Sequence, residues 1–222
     1  MTKTPGHHLD EEALLGYASG SLGEAESVLV ATHLALCPTC RERTSTYEAW
    51  GGAVLSQIEP SRLADDALSK TMARLSQTEA SEPPCGQAAF DHATVMTLPR
   101  PLRDYVGGNL DSLPWKSRGR GVKELPIEIG DGSVRASLLR IRPGETIPQH
   151  THEGVESTLV LKGAFSDETG TYARGDVAIA TADHDHAPVA DSAEECICFA
   201  VIEGPLRFTG PIGRVLNLFV RS

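Results

Sequence analysis

The sequence predicts two domains, an all-α domain followed by an all-β domain. Apolar residues recur at helical spacing over roughly the first 77 residues. Beyond residue 120 the pattern changes to short apolar runs separated by glycine-containing turns, which is typical of antiparallel strands. A polar stretch with two consecutive prolines lies between the two patterns. We therefore expect a helical domain over residues 1–77, a linker over 78–97 and a β domain over 98–222.

Four short helices are expected in the first domain, over about residues 10–19, 21–36, 38–58 and 64–76. Gly20 ends the first helix, and Ser21 with Glu24 three residues later forms a capping-box pattern that predicts the start of the second. Pro38 suits the first turn of the third helix. Because helices this small bury little apolar surface, the predicted core is marginal.

The segment from His33 to Cys40 has the spacing of a metal site. If the second helix runs up to Cys37, His33 and Cys37 lie at i and i+4 on one helix face. Pro38 then turns the chain, which brings Cys40 back toward the same point. Two thiolates and an imidazole favour zinc in a tetrahedral site that needs one more ligand.

The fourth ligand is expected from the two histidines near the N-terminus, His7 and His8. We choose His8, because it lies nearer to the first helix. A structural zinc would help to stabilise the marginal helical core. Two alternatives stay open: Cys37 and Cys40 as ordinary semi-buried cysteines, or a thioredoxin-like redox pair, which would need a strand before the first cysteine.

Composition and charge exclude several classes of function. The net charge of −10 argues against direct binding of nucleic acid, including by a DNA-binding zinc finger, because phosphate contacts need clustered Lys and Arg. No apolar run approaches the roughly 20 residues that span a bilayer. The first residues contain no apolar leader segment, so we expect neither a membrane span nor secretion. Five cysteines are an odd number, and two belong to the predicted metal site, so a disulfide framework is a poor account.

The second half contains apolar runs of strand length over residues 134–141, 157–161, 177–180 and 196–202. Many short strands without intervening helices predict an antiparallel sandwich or barrel. Cys196 and Cys198 lie two apart on the last of these strands and therefore share a face. Core packing and a redox role are both open for this pair.

A second metal-ligand pattern lies in this half. His150 and His152 are two apart on an expected strand, so their side chains point to one face. Glu156 follows after a turn near Gly154 and adds an oxygen donor. These side chains suit zinc, manganese, iron or nickel, and the sequence does not choose among them. The alternative is a barrel whose histidines bind no metal.

Both halves resemble known families. His8, the segment Tyr17-Ala18-Ser19-Gly20 and the pattern His33-x3-Cys37-x2-Cys40 resemble the zinc-binding anti-sigma domain. In the second half, Gly144-x5-His150-x-His152-x3-Glu156-x6-Gly163 matches the first cupin motif at every defined position.

The second cupin motif is degenerate here, with Ala173 where a proline is usual. Its histidine ligand would be His184 or His186. We choose His186, because the segment from His186 to Val189 resembles the cupin half of ChrR-type anti-sigma factors. The two cysteines of residues 196–198 also resemble that subfamily.

The ordered pair of motifs is similar to ChrR-type anti-sigma factors over most of the chain. The resemblance implies a cytoplasmic regulator whose helical domain holds an extracytoplasmic-function sigma factor and whose cupin domain senses a signal, singlet oxygen or another oxidant. It implies zinc in the helical domain and a second divalent metal, with zinc as the first expectation, in the cupin. The expected ligands are His8, His33, Cys37 and Cys40 for the first metal and His150, His152, Glu156 and His186 for the second.

That resemblance implies no enzymatic activity. The alternative from another class is a metal-dependent cupin enzyme, a dioxygenase or isomerase, with an appended zinc domain, because cupin folds host both functions. An enzyme would turn over a substrate without a protein partner, whereas a regulator would form a stoichiometric complex.

Overall fold

The computed structural model describes residues 4–77, 90–130, 132 and 134–209. Within them, helices come first and strands follow. The helices are α1 (Glu11–Ser19), α2 (Glu24–Leu36), α3 (Pro38–Leu55), α4 (Ala67–Gln77), α5 (His92–Thr97) and α6 (Arg100–Val106). The strands are β1 (Lys116–Ser117), β2 (Val122–Ile127), β3 (Val134–Ile141), β4 (His150–His152), β5 (Glu156–Lys162), β6 (Ala164–Ser166), β7 (Thr171–Ala173), β8 (Val177–Ala180), β9 (Val189–Ala190), β10 (Cys196–Glu203) and β11 (Leu206–Phe208).

The connection between α1 and α2 differs from the expected capping box. The second helix begins at Glu24, with Gly23 as its N-cap and no side-chain cap. Ser21 instead caps the C-terminal end of the first helix. Its backbone N–H and its hydroxyl both donate to the Gly16 carbonyl oxygen, at 2.9 and 3.3 Å. The capping-box prediction is therefore wrong, since a hydroxyl in this short loop can satisfy either neighbouring helix.

The strands form two layers. One is a six-stranded antiparallel sheet in the order β1-β2-β3-β10-β5-β8. The other consists of the pair β11-β4 and the sheet β7-β6-β9, which isolated bridges join. Within the described residues β1 and β8 remain unpaired edges of the large sheet, so it is open. Of the two predicted alternatives, sandwich or barrel, the open sheet favours the sandwich, because the chain after the short strand β8 leaves the large sheet rather than continuing its ladder.

The large sheet is covered on both faces, as the almost fully buried strand β10 shows. Cys196 and Cys198 face the smaller sheets and pack with Phe165 and Tyr172. The intervening Ile197 and the following Phe199 face the opposite way and belong to the core that the helices share. The helical and β regions thus contribute to one hydrophobic core, which also contains Leu14, Leu29, Leu98, Leu102, Leu138 and Leu159.

One carboxylate ties three strands together at an end of the large sheet. Glu195, just before β10, accepts hydrogen bonds from Arg140 Nε at 2.8 Å and Lys162 Nζ at 2.9 Å. Burial alone would raise the pKa of Glu195, but the bonds to the two basic groups outweigh burial, and the pKa lies below its ordinary value. The charged carboxylate therefore stabilises the pairing of β3, β10 and β5.

The predicted linker contains ordered structure at its end. Residues 92–97 form α5, and Arg174 on the β7–β8 turn donates to the carbonyl oxygens of Met96 and Thr97. Residues 78–89 lie outside the described residues, so the domain limits 1–77 and 98–222 stay predictions. None of the helices in the described ranges is long and apolar enough to cross a bilayer.

Two candidate metal centres

The first cluster forms where α2 passes into α3. His33 lies in the last turn of α2, and Cys37 separates the two helices in an extended conformation. Pro38 then starts α3, which places Cys40 in the first turn, where its N–H donates to Cys37 Sγ at 3.4 Å. The helix break at Cys37 and Pro38 thus turns both thiols toward His33, as the spacing predicts.

His8 completes this cluster from the segment before α1. Its Nδ1 lies 3.3 Å from Cys37 Sγ and 3.5 Å from Cys40 Sγ. One ligand atom from each of His8, His33, Cys37 and Cys40 lies within 4.8 Å of the others. His7 points elsewhere and packs against Tyr172, with ring centroids 4.5 Å apart. The donor set therefore matches a tetrahedral N2S2 site in composition and proximity.

The buried polar atoms of this cluster fit a metal ion. His33 Nδ1 donates to the Gly175 carbonyl oxygen at 2.8 Å, which leaves Nε2 buried without a hydrogen-bond partner among the described residues. Burial lowers the pKa of His33 to about 4, so the ring is neutral at pH 7. Burial and the neighbouring Cys37 raise the pKa of Cys40 to about 12. A metal would accept the free Nε2 lone pair and displace the thiol protons.

The second cluster lies inside the β region. His150 and His152 come from β4, Glu156 begins β5, and His186 lies in the loop before β9. Glu156 Oε2 is 2.8 Å from His152 Nε2, 3.8 Å from His186 Nε2 and 4.0 Å from His150 Nε2. All four side chains are buried, and their ligand atoms lie within 4.8 Å of one another. The four residues expected from the cupin resemblance therefore converge on one point.

Hydrogen bonds orient two of these imidazoles. His150 Nδ1 donates to the Pro148 carbonyl oxygen at 2.8 Å, and His186 Nδ1 donates to Asp167 Oδ2 at 3.0 Å. Each bond leaves Nε2 as the unprotonated nitrogen facing the cluster, which is the tautomer a metal needs. His184 lies apart, because its Nδ1 accepts the Thr181 N–H at 3.0 Å.

Asp167 is a contributor that the sequence did not indicate. It lies in the turn between β6 and β7, where a polar side chain is unremarkable, and only the folded chain brings it to His186. Asp167 and His186 are separated by 19 residues along the chain. No local spacing could have identified it.

The charge of Glu156 also favours a cation. Burial alone would raise its pKa, but the adjacent imidazoles of His150 and His152 outweigh burial and hold the pKa well below the ordinary range. The cluster thus offers one carboxylate and three imidazole nitrogens in a dry environment. This composition suits a divalent transition metal.

A small cavity adjoins the second cluster. Its volume is about 30 Å³, room for one or two water-sized molecules. Its walls are mainly apolar and include Ile141, Ile147 and Phe165, and the proposed ligands His150 and Glu156 also line it. Cys198 lies in the wall and approaches Cys196, with the two sulfurs 3.5 Å apart.

The hydrogen bond to Cys196 and burial raise the pKa of Cys198 well above its ordinary value. The thiol is therefore protonated and a poor nucleophile at pH 7. This state agrees with core packing, and a redox role for the pair stays a prediction.

The chain is similar to known proteins over almost its full length. A family model described as a ChrR cupin-like domain matches residues 104–207. The anti-sigma-E factor ChrR of Cereibacter sphaeroides is 39% identical over 215 residues, which cover 97% of this chain and 98% of that protein. A crystal structure of Rhodobacter sphaeroides SigE in complex with the anti-sigma ChrR matches with a TM-score of 0.78 at 38% identity, covering 90% of this chain and 100% of that one.

Proposed function

This chain belongs to the ChrR family of anti-sigma factors, and from that premise we propose that it sequesters an extracytoplasmic-function sigma factor and releases it when the cupin region senses a signal. The full-length similarity to an anti-sigma factor carries the proposal. It favours a regulator over the alternative of a metal-dependent cupin enzyme. The similar anti-sigma ChrR was solved in complex with SigE, which supports a sigma factor as the partner.

An exposed apolar surface on the helices supplies a docking face for such a partner. On α4, Leu68, Met72 and Leu75 are 75%, 54% and 64% exposed and lie at i, i+4 and i+7 on one side of the helix. Large apolar side chains also project from the second half of α3 and the segment after it. Together they form what we call the α3–α4 surface: Trp50, Val54, Leu55, Ile58, Leu63, Leu68, Met72 and Leu75.

Large apolar side chains exposed on two consecutive helices are characteristic of a protein–protein interaction site. The predicted marginal core of the helical region does not include α4, because the apolar side chains of this helix are exposed. We assign the α3–α4 surface to the sigma factor because it lies in the region 1–77 that the anti-sigma motif covers. The sigma-binding domain is thus proposed as residues 1–77, with 78–97 as linker and 98–222 as sensor.

Zinc is proposed for the cluster of His8, His33, Cys37 and Cys40. The two thiols and the unpartnered His33 Nε2 fit zinc better than a hard cation. When bound, zinc would supply a structural crosslink between the segment before α1, the end of α2 and the start of α3. The protein's residues hold the geometry, since the Cys37–Pro38 break aims both sulfurs and the segment before α1 delivers His8.

The second proposed metal is held by His150, His152, Glu156 and His186, with zinc as the first expectation. This centre and the apolar cavity beside it would form the sensing site, with singlet oxygen or another oxidant as the proposed signal. The site can influence the sigma factor only if the signal stabilises one arrangement of the chain over another. Location in the cytoplasm is part of the same proposal.

A transcription assay tests the function. Purified chain is titrated into a reaction containing core RNA polymerase, an extracytoplasmic-function sigma factor that co-purifies with the chain from its native host, and a promoter that this sigma factor uses. Transcription should fall to background at about one chain per sigma factor, and a reaction driven by the housekeeping sigma factor should be unaffected. Full transcription at a several-fold excess of the chain would contradict the proposal.

A further inference from the structure

The N-terminal metal cluster rests on one turn of the β region, residues 173–176 between β7 and β8. Asp176 is 6% exposed, and its Oδ1 accepts the backbone N–H groups of Gly6 at 2.6 Å and His7 at 2.9 Å. Its Oδ2 accepts the Ala173 N–H at 2.8 Å, which holds the carboxylate in place. The carboxylate thus fixes the chain directly before His8.

The same turn also contacts His33. The Gly175 carbonyl oxygen accepts the Nδ1–H of His33 at 2.8 Å, across 142 residues of sequence. Gly175 has a φ of +93°, and a Cβ at this position would lie 2.7 Å from Pro5 Cγ. Glycine is therefore needed both for the turn and for the close approach of the N-terminal segment. Val177 N–H adds a bond of 3.2 Å to the His7 carbonyl oxygen.

We propose that the Gly175–Asp176 turn is a positioning element for the N-terminal metal cluster, so that metal affinity in the helical region depends on residues of the β region. The inference rests on the proposed metal binding by that cluster. Two of the four proposed ligands are set by this turn, His33 through its second ring nitrogen and His8 through the backbone before it.

A physical reason supports each half of the proposal. Metal-bound histidines donate their other ring N–H to a carbonyl or carboxylate, which fixes the tautomer and the ring orientation. The segment before α1 contains no helix or strand of its own, so the position of His8 depends on contacts that hold this backbone in place. Asp176 provides two hydrogen bonds to that segment from a single buried carboxylate.

The test uses the full-length protein with cobalt(II) in place of the native metals. Thiolate-to-cobalt charge-transfer absorption reports only the first cluster, because the second contains imidazoles and a carboxylate. Cobalt affinity is measured by competition with a chelator. Asp176→Ala should weaken the affinity of the first cluster about tenfold, at the lower end of the range for outer partners of metal ligands. Asp176→Asn keeps one acceptor oxygen and should recover part of the loss.

Two further variants separate positioning from general destabilisation. Gly6→Pro removes one of the donors to Asp176 while leaving the β region unchanged, and a Cβ at Gly6 meets no atom within 4 Å. It should weaken cobalt binding in the same direction, and its effect should be less than additive with Asp176→Ala. Asp191→Ala removes a carboxylate whose one hydrogen bond within the described residues is local, to the Ala193 N–H, and it should leave the charge-transfer affinity unchanged.

The outcomes are distinct. Each variant should still bind cobalt in the second cluster, which is measured as bound cobalt without charge-transfer absorption. Loss of cobalt from both clusters would indicate unfolding and overturn a specific positioning role. Unchanged affinity of the first cluster in Asp176→Ala and Gly6→Pro would overturn the inference while leaving the metal centre intact. Absence of charge-transfer absorption in the unsubstituted chain would overturn the proposed metal centre and the inference together.

Discussion

Replacing Leu68 and Leu75 by alanine tests the α3–α4 surface most sharply. In the free chain the two side chains are 75% and 64% exposed. Full burial of an exposed leucine contributes about 1.5–3 kcal/mol. With two thirds to three quarters of each side chain left to bury, each should contribute about 1–2 kcal/mol to sigma binding. The double variant Leu68→Ala, Leu75→Ala should therefore bind about 100-fold more weakly, at about 1.4 kcal/mol per tenfold.

The same substitutions should leave the fold intact. Because both side chains are exposed in the free chain, their removal creates no cavity, and alanine favours the helix. Binding is measured by isothermal titration calorimetry with the purified sigma factor, and thermal unfolding of the free variant is followed by circular dichroism. Ser76→Ala on the same helix is the matched control, since in the described part of the chain its hydroxyl donates only to the Met72 carbonyl oxygen. Weakening of less than threefold in the double variant would refute the assigned surface.

Three further variants address the two metal centres and the sheet. Cys37→Ser should remove the metal of the first cluster and release the sigma factor, because zinc binding contributes on the order of 10 kcal/mol to folding of small zinc domains. Metal content and complex formation by gel filtration check this. Undiminished zinc in that cluster would exclude Cys37 as a ligand. His150→Ala with Glu156→Ala should keep the unstressed complex but abolish release, as read by a sigma-dependent reporter before and after oxidant; normal induction would make the cupin metal irrelevant to signalling. Glu195→Gln should lower the free energy of unfolding by about 1 kcal/mol at pH 7. Because the folded pKa of Glu195 is lowered, this stabilisation is present above the unfolded glutamate pKa of about 4.3 and lost as the pH falls through the folded pKa. The free energies of unfolding of the two proteins, measured by urea titration, should therefore converge in acid. A difference that stays constant with pH would contradict the assignment.

The parts of the sites that sequence could predict are those whose ligands are neighbours along the chain. The spacing of His33, Cys37 and Cys40 depends only on a helix that ends at a proline, and that of His150 and His152 only on the alternation of a strand. The relative positions of these ligands therefore do not depend on how the rest of the chain folds. Their convergence in the structure agrees with the expectation, while metal binding itself stays a prediction.

The contacts that sequence could not predict join segments far apart. Asp176 accepts the Gly6 N–H across 170 residues, and Asp167 contacts His186 across 19 residues that include β7 and β8. The core that the helices and the sheet share is also non-local. The sequence pattern shows that α2 and β10 each have an apolar face, but it does not show that these two faces pack against the same core. The open sheet follows from pairing at its edges, which alternation of apolar residues does not encode.

The central claim is that this chain holds a sigma factor through its helical region. The most direct measurement is affinity purification of the tagged chain from its native host under unstressed conditions, with the bound proteins identified by mass spectrometry. The account predicts one extracytoplasmic-function sigma factor at about one copy per chain, lost from the Leu68→Ala, Leu75→Ala variant and retained by Ser76→Ala. Recovery of the chain without any sigma factor, or equal recovery of one with both variants, would contradict it.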